Sequence, residues 1–162
     1  MPAALRAISQ HMIDDLLVQA AQSPRLRAIY RLHEHEEPVQ RMINAIMPGS
    51  YVQPHKHENP DKVELFAILK GCVACLQFDP QGNLQLVVML DASGSNRVVD
   101  IPPRTYHSLI ALEPAALVEI IQGPYDATSH KQFAAWAPAE GSPNAVEYLR
   151  QLEAQVRLHV SS

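Results

Sequence analysis

Apolar and polar positions alternate along this chain in two rhythms. Between residues 9 and 22, Met12, Ile13, Leu16, Leu17, Ala20 and Ala21 recur at the spacing of one helix face, with Ser9 placed as an N-cap and Ser23-Pro24 as a stop. From about residue 26 to 122 the texture becomes short apolar runs, at 42–47, 65–69, 73–78, 84–90, 98–101, 108–112 and 117–121. Turn-forming clusters separate them, among them Pro48-Gly49, Asn59-Pro60-Asp61, Asp79-Pro80-Gln81-Gly82 and Pro102-Pro103. Short strands at such regular spacing predict an all-β barrel or sandwich. A second helix is predicted over about 143–157, with Pro143 in its first turn and Val146, Leu149, Leu152 and Val156 on one face. No internal repeat or low-complexity linker interrupts the pattern, so residues 1–162 read as one domain: a β-barrel with a helix at each end.

Composition narrows the function classes. At 47% hydrophobic over 162 residues, the chain can bury a sizeable core. The net charge is −4 and no run of five basic residues occurs, which argues against a nucleic-acid or anionic-membrane surface. No apolar segment approaches the roughly 18 residues of a membrane span. The first twenty residues carry one Arg and are broken by Gln10, His11, Asp14 and Asp15, unlike a signal peptide, so the expected location is the cytoplasm. Two cysteines fit a reducing compartment. Barrels with exposed edge strands often pair, and a homodimer is the expected assembly.

Candidate chemistry gathers in two places. His55 and His57 lie two residues apart, which on a strand puts both imidazoles on one face, roughly 7 Å apart along the chain. Two such rings can converge on a metal ion at about 2.0–2.1 Å. Glu64 opens the next apolar run, which ends at Lys70-Gly71, where a turn is needed. Much later, His107 follows the proline-stiffened turn at 102–103. A His pair alone reads more readily as ordinary polar residues beside a turn. Three imidazoles and one carboxylate on a β-rich chain make a divalent metal site the better reading.

These residues carry a family resemblance. Gly49, five residues, His55-Lys56-His57, then Glu64, six residues and Gly71 resembles the first cupin motif, and Pro102-Pro103-Arg104-Thr105-Tyr106-His107 resembles the second. The resemblance implies a cupin double-stranded β-helix barrel, with His55, His57, Glu64 and His107 holding one divalent transition metal (Zn, Fe, Ni or Mn). The chain departs from the motifs in a longer gap before Glu64, in Arg104 where Gly is usual, and in Ala111 where Asn is usual. A closer resemblance, over about residues 24–149, is to WbuC-type cupin-fold metalloproteins. It runs through residues 38–44, Ser50-Tyr51, Pro54-His55-Lys56-His57, Lys62-Val63-Glu64, Gly123-Pro124-Tyr125 and Trp136-Ala137-Pro138. In that group the longer gap is usual, and members occur among bacterial surface-polysaccharide genes. This implies a metal site and a sugar-related ligand but no particular reaction. Ser129-His130-Lys131 departs from the group, which has an acidic residue before the lysine.

The remaining candidates are read as follows. Glu119, a carboxylate inside an apolar run, either lines the barrel mouth as a general acid or base or pairs with Arg41. Tyr51 is its companion catalytic candidate. Arg41, Asn44, Lys62 and Tyr106 are candidates for contacting substrate. His33-Glu34-His35 sits in a charged run and reads as a solvated loop or strand edge. Cys72 and Cys75, three apart on a strand, point to opposite faces and read as structural thiols. Trp136 reads as packing for the C-terminal extension ahead of a sugar-stacking platform. Several functions fit: a metal-dependent enzyme acting on a small sugar-like or hydroxy-acid substrate in surface-polysaccharide metabolism, a non-catalytic metal- or ligand-binding sensor module, an Fe(II) dioxygenase, or a metal-free sugar isomerase. No spacing in the sequence chooses among them.

Overall fold

The computed structural model describes residues 4–160. Two antiparallel five-stranded sheets face each other, and a helix covers the outer face of each. Helix α1 (Gln10–Gln22) begins where Ser9 Oγ accepts the Met12 amide at 3.3 Å, and buries Ile13, Leu16, Leu17 and Ala20. Strands β1 (Arg27–Arg31), β2 (Val39–Ile46), β4 (Glu64–Lys70), β7 (Val98–Ile101) and β9 (Ala115–Gln122) form one sheet in the order β1-β2-β9-β4-β7. Strands β3 (His55–Lys56), β5 (Cys72–Phe78), β6 (Leu84–Asp91), β8 (Tyr106–Ala111) and β10 (Gln132–Phe133) form the other, in the order β10-β3-β8-β5-β6. Helix α2 (Ala145–Val160) closes the chain.

Period-2 alternation assigns every strand residue to a layer. Ile46, Phe66 and Leu117 of the first sheet meet Val73, Cys75, Leu90 and Leu109 of the second, so the apolar end of the barrel is packed shut. The opposite parity faces outward: Ile43, Ala45 and Ala116 receive α1, while Ala74, Leu76, Phe78 and Ile110 join Leu149, Leu152 and Val156 of α2. Both strand faces are apolar because both are covered.

The predicted all-β barrel with a helix at each end is the fold observed. Three strands were not among the predicted runs, and one of them, β10, carries the second sheet past the expected barrel limit at residue 122 by pairing Phe133 with His55. Helix α2 starts two residues later than predicted. Asn144 O accepts the Tyr148 amide, which leaves Pro143 ahead of the helix. Val146 is 60% exposed, and Ala145 takes the inward position expected of it. Cys72 and Cys75 are free thiols, with Cys75 buried in the barrel core. Trp136 packs on Phe78 and Tyr106 beneath the C-terminal extension.

Candidate metal centre

At the end of the barrel away from the packed core, both sheets turn polar side chains inward. His55 on β3 is the cross-strand partner of His107 on β8, and His107 shares its inward face with Leu109 and Ala111. His57 lies one residue past β3. Glu64 opens β4 in the facing sheet, on the inward face with Phe66 and Ile68. One donor atom from each of His55, His57, Glu64 and His107 lies within 4.8 Å of the others, and all four residues are buried. Glu64 Oε2 is 2.9 Å from His107 Nε2 and 3.2 Å from His57 Nε2.

The backbone determines which ring nitrogen is free. His55 Nδ1 bonds Gln53 O at 2.9 Å, His57 Nδ1 bonds His130 O at 2.6 Å, and His107 Nδ1 bonds Thr105 O at 2.9 Å. A carbonyl oxygen only accepts, so Nδ1 is the donor in all three rings and Nε2 is left as a lone pair. The Nε2 atoms of His55 and His107 are buried without a hydrogen-bond partner. Three ring lone pairs and a carboxylate converging in a closed space repel one another unless a cation joins them. A divalent ion held by nitrogen and oxygen donors meets that need, and the carbonyls supply the outer support that metal-bound imidazoles ordinarily have. The donor set suits Zn, Fe, Ni or Mn alike.

Electrostatics agree with a ligand set. Burial first, then the Lys131 charge, drives His55 well below the ordinary imidazole range, in the neutral form a metal requires. Burial works against the Glu64 carboxylate, and it is held well below the usual range only when the Nε2 positions of His107 and His57 present positive charge to it, which is the place a cation would take.

A cavity of about 740 Å³ opens from this cluster between the sheets. Glu119 and Asn44 both line it, and Asn44 Nδ2 donates to Glu119 Oε2. Burial first and then the Glu64 carboxylate push Glu119 up to about 8. The alternative partnership of Glu119 with Arg41 is not made. Arg41 lies an odd number of residues from Asn44, so it points to the other side of β2, where its guanidinium binds Glu37 and Leu32 O. Tyr51 is also absent from the cavity. Its hydroxyl donates to Pro138 O at 2.7 Å and its ring packs edge-on to Tyr148 in the core under α2. Tyr106, next to His107 and so of opposite parity, faces outward to Trp136 and the Lys56 ammonium. Lys62 is buried with its ammonium on Pro124 O at 2.8 Å, where it supports a loop, and it is not among the residues lining this cavity.

Other residues take these places. His33, expected in a solvated loop, is buried, with Nδ1 accepting the Arg41 amide at 2.8 Å; both His33 and His35 line the cavity. His130 and Lys131 line it too. The one sequence signal for them was that 129–131 departs from the WbuC pattern; nothing local placed them beside His57.

The family model described as a domain of unknown function, DUF6016, matches residues 8–90, just over half of the chain. The chain belongs to the DUF6016 family. No curated protein matches its sequence. Among solved structures, the DUF6016 chain is similar to the capsular polysaccharide assembling protein CapF from Staphylococcus aureus, at 19% identity and a TM-score of 0.56 over 68% of this chain and 32% of CapF. It thus spans about a third of CapF. It is also similar to a cupin superfamily protein from Desulfitobacterium hafniense, at 17% identity and 0.48 over 59% of this chain and 76% of that one. KdgF from a Halomonas species stands at 17% and 0.48, over 65% and 84%. These are likenesses of fold. The two facing five-stranded sheets of the DUF6016 chain make a cupin β-barrel, and the buried His-His-Glu-His group gives it a metal-type site.

Proposed function

We propose that this cupin is a metal-dependent enzyme acting on a small hydroxylated ligand of sugar or hydroxy-acid type. One divalent transition metal would be held by His55, His57, Glu64 and His107. The observation that supports this is the convergence of three Nε2 atoms and the Glu64 carboxylate, each ring fixed by a carbonyl on its Nδ1, beside a cavity they help to line. A metal ion there would supply Lewis acidity to an oxygen of the ligand. Glu119, which lines the cavity and has one carboxyl oxygen held by Asn44, would be the group that takes or returns a proton. Phe66, Leu109 and Leu117 contribute apolar surface to the same cavity. The WbuC resemblance supports a sugar-related ligand, and CapF, a likeness of fold, is itself a polysaccharide-assembling protein.

Metal analysis and turnover test the proposal together. Purified without chelators, the protein should hold about one transition metal per chain. His55→Ala or His107→Ala should each abolish that content, while His33→Ala and His35→Ala leave it unchanged. Glu119→Gln should keep the metal and lower turnover of a sugar or hydroxy acid by roughly 10²–10⁴. A protein that neither carries nor takes up metal would sink the assignment of the four ligands. Ligands that raise the melting temperature of the metal-loaded protein yet are never consumed would make it a binding module.

A further inference from the structure

The charges on the cavity wall are out of balance, and, given the metal-centred reading of the site, the imbalance bears on the ligand. Arg25 and Arg27 also line the cavity, but they share one counter-ion, Glu140, which both bind at 2.8 Å, so their charge is partly offset and already engaged. Arg31 and Lys131 differ. Both line the same cavity, and neither takes part in an ion pair among the described residues. The Arg31 guanidinium donates to His35 Nε2, a neutral partner that leaves its charge uncompensated. The carboxylates of the wall are already engaged: Glu64 faces the imidazoles, Glu119 receives Asn44, and Glu140 holds the two arginines.

The position of Lys131 is set by the metal centre itself. It follows His130, whose backbone oxygen accepts from His57 Nδ1. The approach to it is fixed at two more points, by Lys62 Nζ on Pro124 O and by the Tyr125 amide on His35 O at 2.8 Å. Its charge is felt at His55, at His130 and at Glu119, so it reaches the same space as the proposed chemistry. At about 740 Å³ the cavity also falls in the range of pockets that enclose a whole small molecule, and it exceeds what a two- or three-carbon acid would fill.

We infer that the ligand is an anion of monosaccharide size, a sugar acid or sugar phosphate, whose charged group is received by Lys131, with Arg31 lining the same cavity, while its hydroxyls reach the metal centre. Lys131 is then the residue that separates charged from neutral sugars.

Calorimetric titration of the zinc-loaded protein decides this, using two probe pairs: galacturonate against galactose, and glucose 6-phosphate against glucose. At least one anion should bind tenfold or more tightly than its neutral partner, and which of them does so tells carboxylate from phosphate. Lys131→Gln should cost that anion about tenfold or more, the worth of a charge-assisted contact, with zinc content unchanged. Lys131→Arg should restore most of the binding, and raised salt should weaken it. Equal binding of charged and neutral partners, no loss in Lys131→Gln, or no binding of either anion would overturn the inference. A protein that holds no metal yet binds an anion through Lys131 would keep the inference and lose the metal-centred reading. A zinc-replete protein indifferent to ligand charge would do the reverse.

Discussion

Arg104 stands where the second cupin motif has glycine, and its backbone takes φ of 63°, the left-handed conformation that glycine adopts without penalty. The turn is therefore kept while the residue suited to it is not. The side chain has a compensating contact, with Nε 3.0 Å from Asp61 Oδ1, but that pair is largely exposed and contributes little. Two substitutions separate the effects. Arg104→Ala loses the ion pair and keeps the strained φ; Arg104→Gly loses the ion pair and relieves it. The glycine variant should melt above the alanine variant, by roughly 2 °C or more, in paired thermal melts. An alanine variant as stable as the glycine one would mean the left-handed position costs nothing here. Residue parity also explains which site residues were legible in the sequence. His55, His57, Glu64 and His107 sit in spaced motifs that state their own geometry. Arg41 and Tyr106 were separable from Asn44 and His107 by odd spacing on a strand, a signal available but outweighed by their nearness to the ligands. His130 and Lys131 were not legible, because a long-range return of the chain brings them to His57 and no local pattern encodes it.

At the scale of elements, the predicted runs match strands that have an apolar face to advertise. The three unpredicted strands do not. β1 reads Arg-Ala-Ile-Tyr-Arg and leaves Ile29 59% exposed, while β3 and β10 are two residues each and carry a metal-site histidine and its neighbours in place of apolar side chains. Function at β3 has replaced the pattern that would reveal it. The β4–β5 connection is the opposite case, since its glycine was identifiable from sequence and the reason is now visible. Gly71 has φ of 74°, and a Cβ there would lie 2.2 Å from Pro114 O and 2.9 Å from Ala115 Cα, both backbone atoms of the segment entering β9. Neither can give way without moving a central strand. Gly71→Ala should therefore destabilise the protein by about 2–4 kcal/mol, combining overpacking with left-handed strain. Denaturant unfolding would measure it, and a loss under about 1 kcal/mol would show that the turn relaxes.

For the whole molecule, the two sheets are tied together outside the barrel core by Glu140. Its carboxylate binds Arg25 and Arg27, at the start of the first sheet, and its amide donates to Gln53 Oε1 at 3.1 Å, on the approach to β3. The Arg25 bond, resisted by burial and reinforced by Arg27, holds the Glu140 carboxyl below its ordinary value of 4.5. A carboxyl depressed by folding contributes stability that is present above the unfolded value and is lost as the pH falls through the folded one. Wild type should therefore exceed Glu140→Gln in melting temperature at pH 7, and the gap should close as the pH drops below 4.5. A gap constant with pH would assign the difference to packing and not to charge.

The bond from His57 to the carbonyl of His130 carries a consequence for descent. A breakpoint after Gln122 respects every long strand of the barrel, and recombination there would leave an apparently whole cassette with His55, His57, Glu64 and His107 intact. Such a cassette would lack β10 beside His55, the oxygen that selects the His57 tautomer, and Lys131. A working site therefore needs the barrel and its tail together, and substitutions at 130–131 are expected to track those at 55–57.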